Sequence, residues 1–120
     1  KGQASLHTLL DHAPSSPLAS YARFALGRSL SEPFMDYRRH TVRAPDCAAA
    51  LTHLTKVNDV HITDYIRIQI AIAKGRCAAY EKDSKSAMQN FFAAKGIMVD
   101  RPEYRAIGAR VAEYEQHLAR

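Results

Sequence analysis

"AIAKGRCAAYEKDSKSAMQNFFA", residues 71–93, decides the architecture. Its first ten residues have helical spacing, yet Gly75 stands in the middle of them. Glycine there costs about 1 kcal/mol against alanine. A helix keeps such a residue where another backbone or side chain must come close. Asp83 and Ser84 predict a tight turn, after which helical spacing resumes at once. The stretch therefore reads as helix, turn, helix, with the second helix packed closely on the bare backbone at Gly75.

The same punctuation recurs along the chain. Ser16 followed by Pro17 is an N-cap with proline at the first helical position, which suits both residues. Asp46 closes an irregular stretch and supplies the next cap, and Pro102 again places proline at a helix start. These signals predict helices near 3–13, 17–31, 46–57, 62–81, 84–98 and 102–119. No strand-like alternation competes, since the β-branched run at 60–63 is short and leads into helical spacing. Tyr104, Ile107, Val111, Tyr114 and Leu118 make a single apolar stripe, so the last helix should be covered on one side only. Ile62, Tyr65, Ile66, Ile68, Ile70 and Ile72 instead point nearly all round, and that helix should be covered on several sides.

The 120 residues are expected to form one domain, burying roughly two-thirds of the surface of the unfolded chain. A hydrophobic fraction of 47% with 24% charged residues is ordinary for a globular protein. The chain opens on Lys1, which suggests a segment of a longer or processed polypeptide. No apolar run reaches the roughly 20 residues that span a bilayer. The net charge of +5 is spread along the chain. Its densest cluster, Tyr37–Arg43, reads as a solvated basic loop, and without a stacking ladder or binding motif no nucleic acid is expected. Cys47 and Cys77, both among alanines, read as buried free thiols, with a bridge between neighbouring helices as the alternative. A bridge would favour an oxidising compartment.

Gly75 and Gly108 are 33 positions apart, close to the roughly 34-residue period of tetratricopeptide repeats. Tyr104, Ile107 and Val111 frame Gly108 in the spacing of a first repeat helix. Leu26 and Leu30 frame Gly27, with Arg23 where an aromatic is expected, and Ala71, Lys74 and Ala78 fit less well around Gly75. Ala87, Phe91 and Ala94 have the spacing of a second repeat helix, which Ala50, Leu54 and Val57 repeat more loosely. Ser5 and Leu9 fit an earlier, truncated repeat. On these residues the chain resembles the tetratricopeptide-repeat family over nearly its whole length. The opening stretch 6–30 is similar in style to repeats of bacterial envelope proteins, which implies a periplasmic or secreted location.

That resemblance implies an all-α fold. Antiparallel helix pairs would stack as a short right-handed superhelix of about six helices, Ala50 and Ala87 facing the glycines. One departure stands out. Gly27 and Ala50 are 23 positions apart where the pattern has about twelve, so a long loop at 31–46 is inserted within one repeat. Pro33 and Pro45 bracket it, and Phe34, Met35 and Tyr37 suggest that it folds back over one end of the stack.

No catalytic constellation is present. The histidines His7, His12, His40, His53, His61 and His117 lack zinc-site spacing. His61 near Asp59 and Asp64 reads as part of a helix start. Neither the serines nor Cys77 sit in a nucleophile motif, and the glycines are isolated in helices rather than gathered in a phosphate loop. No cofactor or metal is expected. The family's groove positions, carried over, fall on Tyr21, Phe24 and Arg28 in one repeat. They fall on Gln69, Ile72, Arg76 and Tyr80 in the next, and on Arg105 in the closing helix. Such a groove implies a non-catalytic module holding an extended protein or peptide partner, with acidic groups or a terminal carboxylate on the arginines. The rival expectation is an accessory domain of a larger enzyme or envelope-assembly protein, without a peptide ligand of its own.

Overall fold

A computed structural model describes residues 16–36 and 38–118, so the expected helix at 3–13, with Ser5 and Leu9, lies outside the described residues. The chain divides into two compact units, one ending at Thr63 and one starting at Asp64. The described residues are overwhelmingly helical, as the all-α expectation requires.

The first unit holds α1 (Pro17–Leu30) and α2 (Cys47–Leu54). Ser16 caps α1 by accepting a 3.1 Å hydrogen bond from the Ala19 N–H, and Pro17 stands in the first turn. Asp46 caps α2, its Oδ1 accepting from the Ala49 N–H at 3.2 Å. Between the helices lies a correction to the sequence reading. Phe34–Asp36 (β1) and Thr41–Arg43 (β2) pair antiparallel in a small hairpin, with Met35 opposite Val42. Three residues per strand are too few for alternation to be read against helical spacing, whereas pairing satisfies their backbone groups. All three β2 residues are exposed. The expected folding-over of this segment therefore finds no support in β2.

α2 stops at Leu54 rather than at 57. Thr52 and Thr55 turn their hydroxyls onto the Ala48 and Leu51 carbonyls, a habit that weakens helices. Asn58 then caps a 3₁₀ turn, Asp59–His61. That turn is tied to α1 by the buried Ser20, whose hydroxyl lies 3.1 Å from His61 Nδ1 and accepts from the Asn58 N–H at 3.3 Å. His61 is thus part of a local structural tie.

The second unit holds α3 (Asp64–Tyr80), α4 (Ser84–Met98), a 3₁₀ turn (Pro102–Tyr104) and α5 (Arg105–Leu118). Pro102 opens the 3₁₀ turn and α5 follows it, a later start than the expected 102. The reversal between α3 and α4 is compact. Lys82 adopts φ 64°, the Asp83 N–H donates back to the Ala78 carbonyl at 2.8 Å, and the Asp83 side chain accepts from the Ser86 N–H. One residue thereby closes a Schellman-type end and caps the next helix.

Ile68, Ala71 and Ile72 of α3 form one core with Ala87, Phe91, Ala94 and Met98 of α4 and Val111 of α5. Tyr104, Ile107, Tyr114 and Leu118 pack against it, so the stripe read on the last helix is its inner face. Residues 70–73 of α3 are consecutively buried, as all-round apolarity requires. α3 and α5 run parallel, which two contacts show. Near their starts Asp64 accepts from Arg101 Nη1 at 2.7 Å, and near their ends the Arg76 guanidinium lies over the Tyr114 ring.

Asp64 also accepts from Arg67 at 2.7 Å. Its hydrogen bonds to Arg101 and Arg67 hold its carboxyl below the ordinary value of 3.8. A depressed carboxylate pKa stabilises the fold above the unfolded value, and the contribution is lost as pH falls through the folded one. Asp64→Asn is therefore expected to be less stable than wild type at pH 7, with the gap closing below about pH 3.8. Thermal melts from pH 7 to pH 2 check this; a gap constant with pH counts against the ion pair.

The glycines divide. A Cβ at Gly75 would lie 2.6 Å from Phe91 Cε1, and one at Gly27 would lie 2.5 Å from Leu54 Cγ and 3.1 Å from the Ala50 carbonyl oxygen. Close approach is therefore real at both positions, but the side chains that fill the space are Leu54 and Phe91, four residues after the expected Ala50 and Ala87. Gly108 does not belong with them, since a Cβ there would meet nothing within 4 Å, and the same holds at Gly96. Gly108→Ala and Gly96→Ala should each stabilise by about 0.5–1 kcal/mol, the helical penalty of glycine. Gly75→Ala should destabilise by about 1–2 kcal/mol, because overpacking outweighs the gain in helix propensity. Urea denaturation of the three variants reads the opposite signs directly.

Candidate functional site

The eight residues expected to line a groove do not share one environment. In the first unit Phe24 is 5% exposed and belongs to the core, its ring edge-on to Tyr21 at 6.3 Å between centroids. Tyr21 is exposed. Arg28 is exposed beside Glu32 at 3.9 Å, a pairing of little energetic weight at a surface. In the second unit Ile72 is 7% exposed and sits within the α3–α4–α5 core. Burial of Phe24 and Ile72 follows from the physics that made them attractive as groove residues: large apolar side chains on a helix lie against the neighbouring helix first. Gln69 is half-buried. Arg105 is exposed in the first turn of α5, about 14–18 Å along the helix from its last turn.

Arg76 and Tyr80 are brought together. With Ala79 they form the α3 wall of a cleft of about 380 Å³. Tyr114, His117 and Leu118 of α5 form the opposite wall, and the Phe91 ring closes the floor. The volume falls in the lower part of the range of about 300–1,000 Å³ typical of small-ligand sites. Phe91 and Tyr114 are stacked, with centroids 5.6 Å apart and planes inclined by 23°. The Arg76 guanidinium carbon lies 5.6 Å from the Tyr114 centroid, within reach of a cation–π contact. The cleft is thus an apolar slot with a cation held on an aromatic face. A planar guanidinium with five donors suits a carboxylate.

The α5 wall was not legible as a site. Tyr114 and Leu118 belong to the apolar stripe of α5 and pack on the core. The signal that would have pointed further was their place at the end of the stripe, where the half-buried Tyr114 and Leu118 have one face left over. Elsewhere Arg101 joins Asp64, Glu103 and the Tyr104 hydroxyl, with its guanidinium 4.7 Å from the Tyr104 ring. That network secures the junction of α4 and α5 to the start of α3.

Cys47 and Cys77, the chain's two cysteines, are both disulfide-bonded. The expectation of free thiols is corrected accordingly. Among the described residues no group of three or more His, Cys, Asp and Glu side chains is placed to hold a metal ion. Among the same residues no helix is long and apolar enough to cross a membrane. Comparison with protein-family models, curated proteins and solved structures returns no match.

Proposed function

We propose that the chain is a non-catalytic helical-repeat module that holds a protein or peptide partner, whose acidic or carboxylate-bearing end enters the cleft at Arg76. The observation that carries this reading is the cation–aromatic pair of Arg76 and Tyr114 set in an otherwise apolar slot. Anchoring an apolar group while pairing a carboxylate with arginine is a common way to hold a peptide end. The tetratricopeptide-like reading has its own support. Gly27 meets Leu54 and Gly75 meets Phe91, and the two spans, 27 and 16 positions, differ by eleven, the same excess that separates Gly27 to Ala50 from Gly75 to Ala87. The disulfide supports an oxidising compartment, in keeping with a periplasmic or secreted protein.

The test is binding of a defined library of acidic and C-terminally free peptides, measured by fluorescence polarisation. Arg76→Ala is expected to weaken the selected peptides at least about tenfold, as loss of a charge-assisted contact does. Selected peptides that bind Arg76→Ala unchanged would refute the cleft as the binding site. A library without binders would instead favour the accessory-domain role.

A further inference from the structure

Phe92 on α4 is 73% exposed, and Val99, one residue past that helix, is 68% exposed. Met88, Phe92, Lys95 and Val99 recur at steps of four, three and four, so they share one side of the helix. Lys95 reaches α5 from that side, its Nζ 2.9 Å from a Glu115 carboxylate oxygen. Glu115 ends a matching row on α5, after Arg105, Gly108 and Ala112 at steps of three, four and three. The two rows therefore border one another across the ion pair, as an uncovered face about 15 Å long. Exposed apolar rows of this kind mark interaction sites. None of these residues lines the Arg76 cleft.

Gly108 lies within the α5 row. At Gly27 and Gly75 the space in front of the bare helix backbone is filled by Leu54 and by Phe91. In front of Gly108 nothing stands within 4 Å of where a Cβ would be, although glycine costs the helix about 1 kcal/mol. We infer that this face docks an amphipathic helix of a partner protein, which sets a large apolar residue over Gly108 and acidic residues beside its apolar row. The charge on the face selects that occupant. α4 carries Lys85 and Lys95 and no carboxylate, and Arg105 opens the α5 row. Glu115, the one carboxylate in the two rows, is held by Lys95, and at the turn between the helices Glu103 lies 3.4 Å from Arg101. Asp100 bounds the face beyond Val99. A second copy of the chain, with its net charge of +5, would bring cations against cations. An acidic amphipathic helix instead covers Phe92 and Val99 with its apolar row and meets Lys85 and Arg105 with opposite charge, the usual way a helix lies in a groove.

The probe is the peptide acetyl-Glu-Leu-Ala-Glu-Glu-Phe-Ala-Glu-Leu-Ala-Ala-Glu-Leu-Glu-amide, whose leucines and phenylalanine repeat the four-three-four step. Its control carries lysine in place of every glutamate. Both are titrated by calorimetry into the intact, oxidised chain. The acidic peptide is expected to bind at least about tenfold tighter than the lysine peptide, with the difference narrowing as salt is added. Phe92→Gln should weaken it at least about tenfold, as loss of an aromatic anchor does. Gly108→Leu, which fills the open space, should do the same, and Arg105→Glu should weaken it about three- to tenfold. Phe92 and Arg105 are exposed and the space before Gly108 is open, so the three variants are expected to fold, which thermal melts check. Arg76→Ala should leave this binding unchanged. Loss of binding in Arg76→Ala would move the peptide into the cleft, overturning the inference and leaving the earlier reading standing. Equal binding of the two peptides overturns the charge complementarity. Binding that survives both Phe92→Gln and Gly108→Leu overturns the face itself, and so does silence of the acidic peptide. Sedimentation that finds a dimer dissolved by Phe92→Gln would assign the face to a second copy instead.

Discussion

Phe91→Ala is expected to destabilise the protein by about 3–5 kcal/mol, the usual cost of removing a fully buried aromatic ring. Phe91 has no exposed surface and is the central contact of the second unit. Its ring fills the space left by Gly75 on α3 and stacks on Tyr114 of α5. Truncation therefore removes the ring on which α3 and α5 both pack and deepens the cleft whose floor it forms. Domains of this size are stable by about 5–15 kcal/mol, so the second unit is left marginal. Urea denaturation followed by circular dichroism measures the loss. A sharper result comes from the pair. In the Phe91→Ala background the ring that a Cβ at Gly75 would strike is gone, and only the gain in helix propensity remains. Gly75→Ala should then change sign, from costing about 1–2 kcal/mol to stabilising by about 1 kcal/mol. An unchanged cost in both backgrounds would show that something other than Phe91 limits the space.

Reduction should have an effect of similar size. Denatured without reductant, the protein is expected to show no reactive thiol, and after dithiothreitol two, Cys47 and Cys77. Loss of the bond should cost about 2–5 kcal/mol, mainly by freeing the unfolded chain, and the melting temperature in dithiothreitol should fall accordingly. Cys47→Ser plus Cys77→Ser should match the reduced wild type. Two reactive thiols in the unreduced protein would contradict the bond and remove the support for an oxidising compartment.

The particular elements show why some features were legible and others were not. Ser16, Asp46 and Asp83 act as caps where they were read, because capping needs only a side-chain oxygen and the next few backbone N–H groups. The α5 stripe was equally local, since one helix's periodicity states which face is inward. The β1–β2 hairpin was missed because six paired residues carry too little pattern to oppose helical spacing. Gly108 was grouped with Gly27 and Gly75 on spacing alone. Spacing says where a glycine stands on its helix and nothing about whether a neighbour arrives. Phe24 and Ile72 were assigned to the groove for the same reason, their register being right and their surroundings unknown.

The sequence by itself determined the described helices, their caps and the inward face of α5. All of these follow from interactions within a few residues or from a repeating period. Only the tertiary structure decided that Leu54 and Phe91 fill the space at Gly27 and Gly75 while nothing reaches Gly108, and that Arg76, Tyr80, Tyr114 and His117 share one cleft. These outcomes join residues from separate helices, and their distances depend on how side chains of different volume pack, which no local pattern encodes.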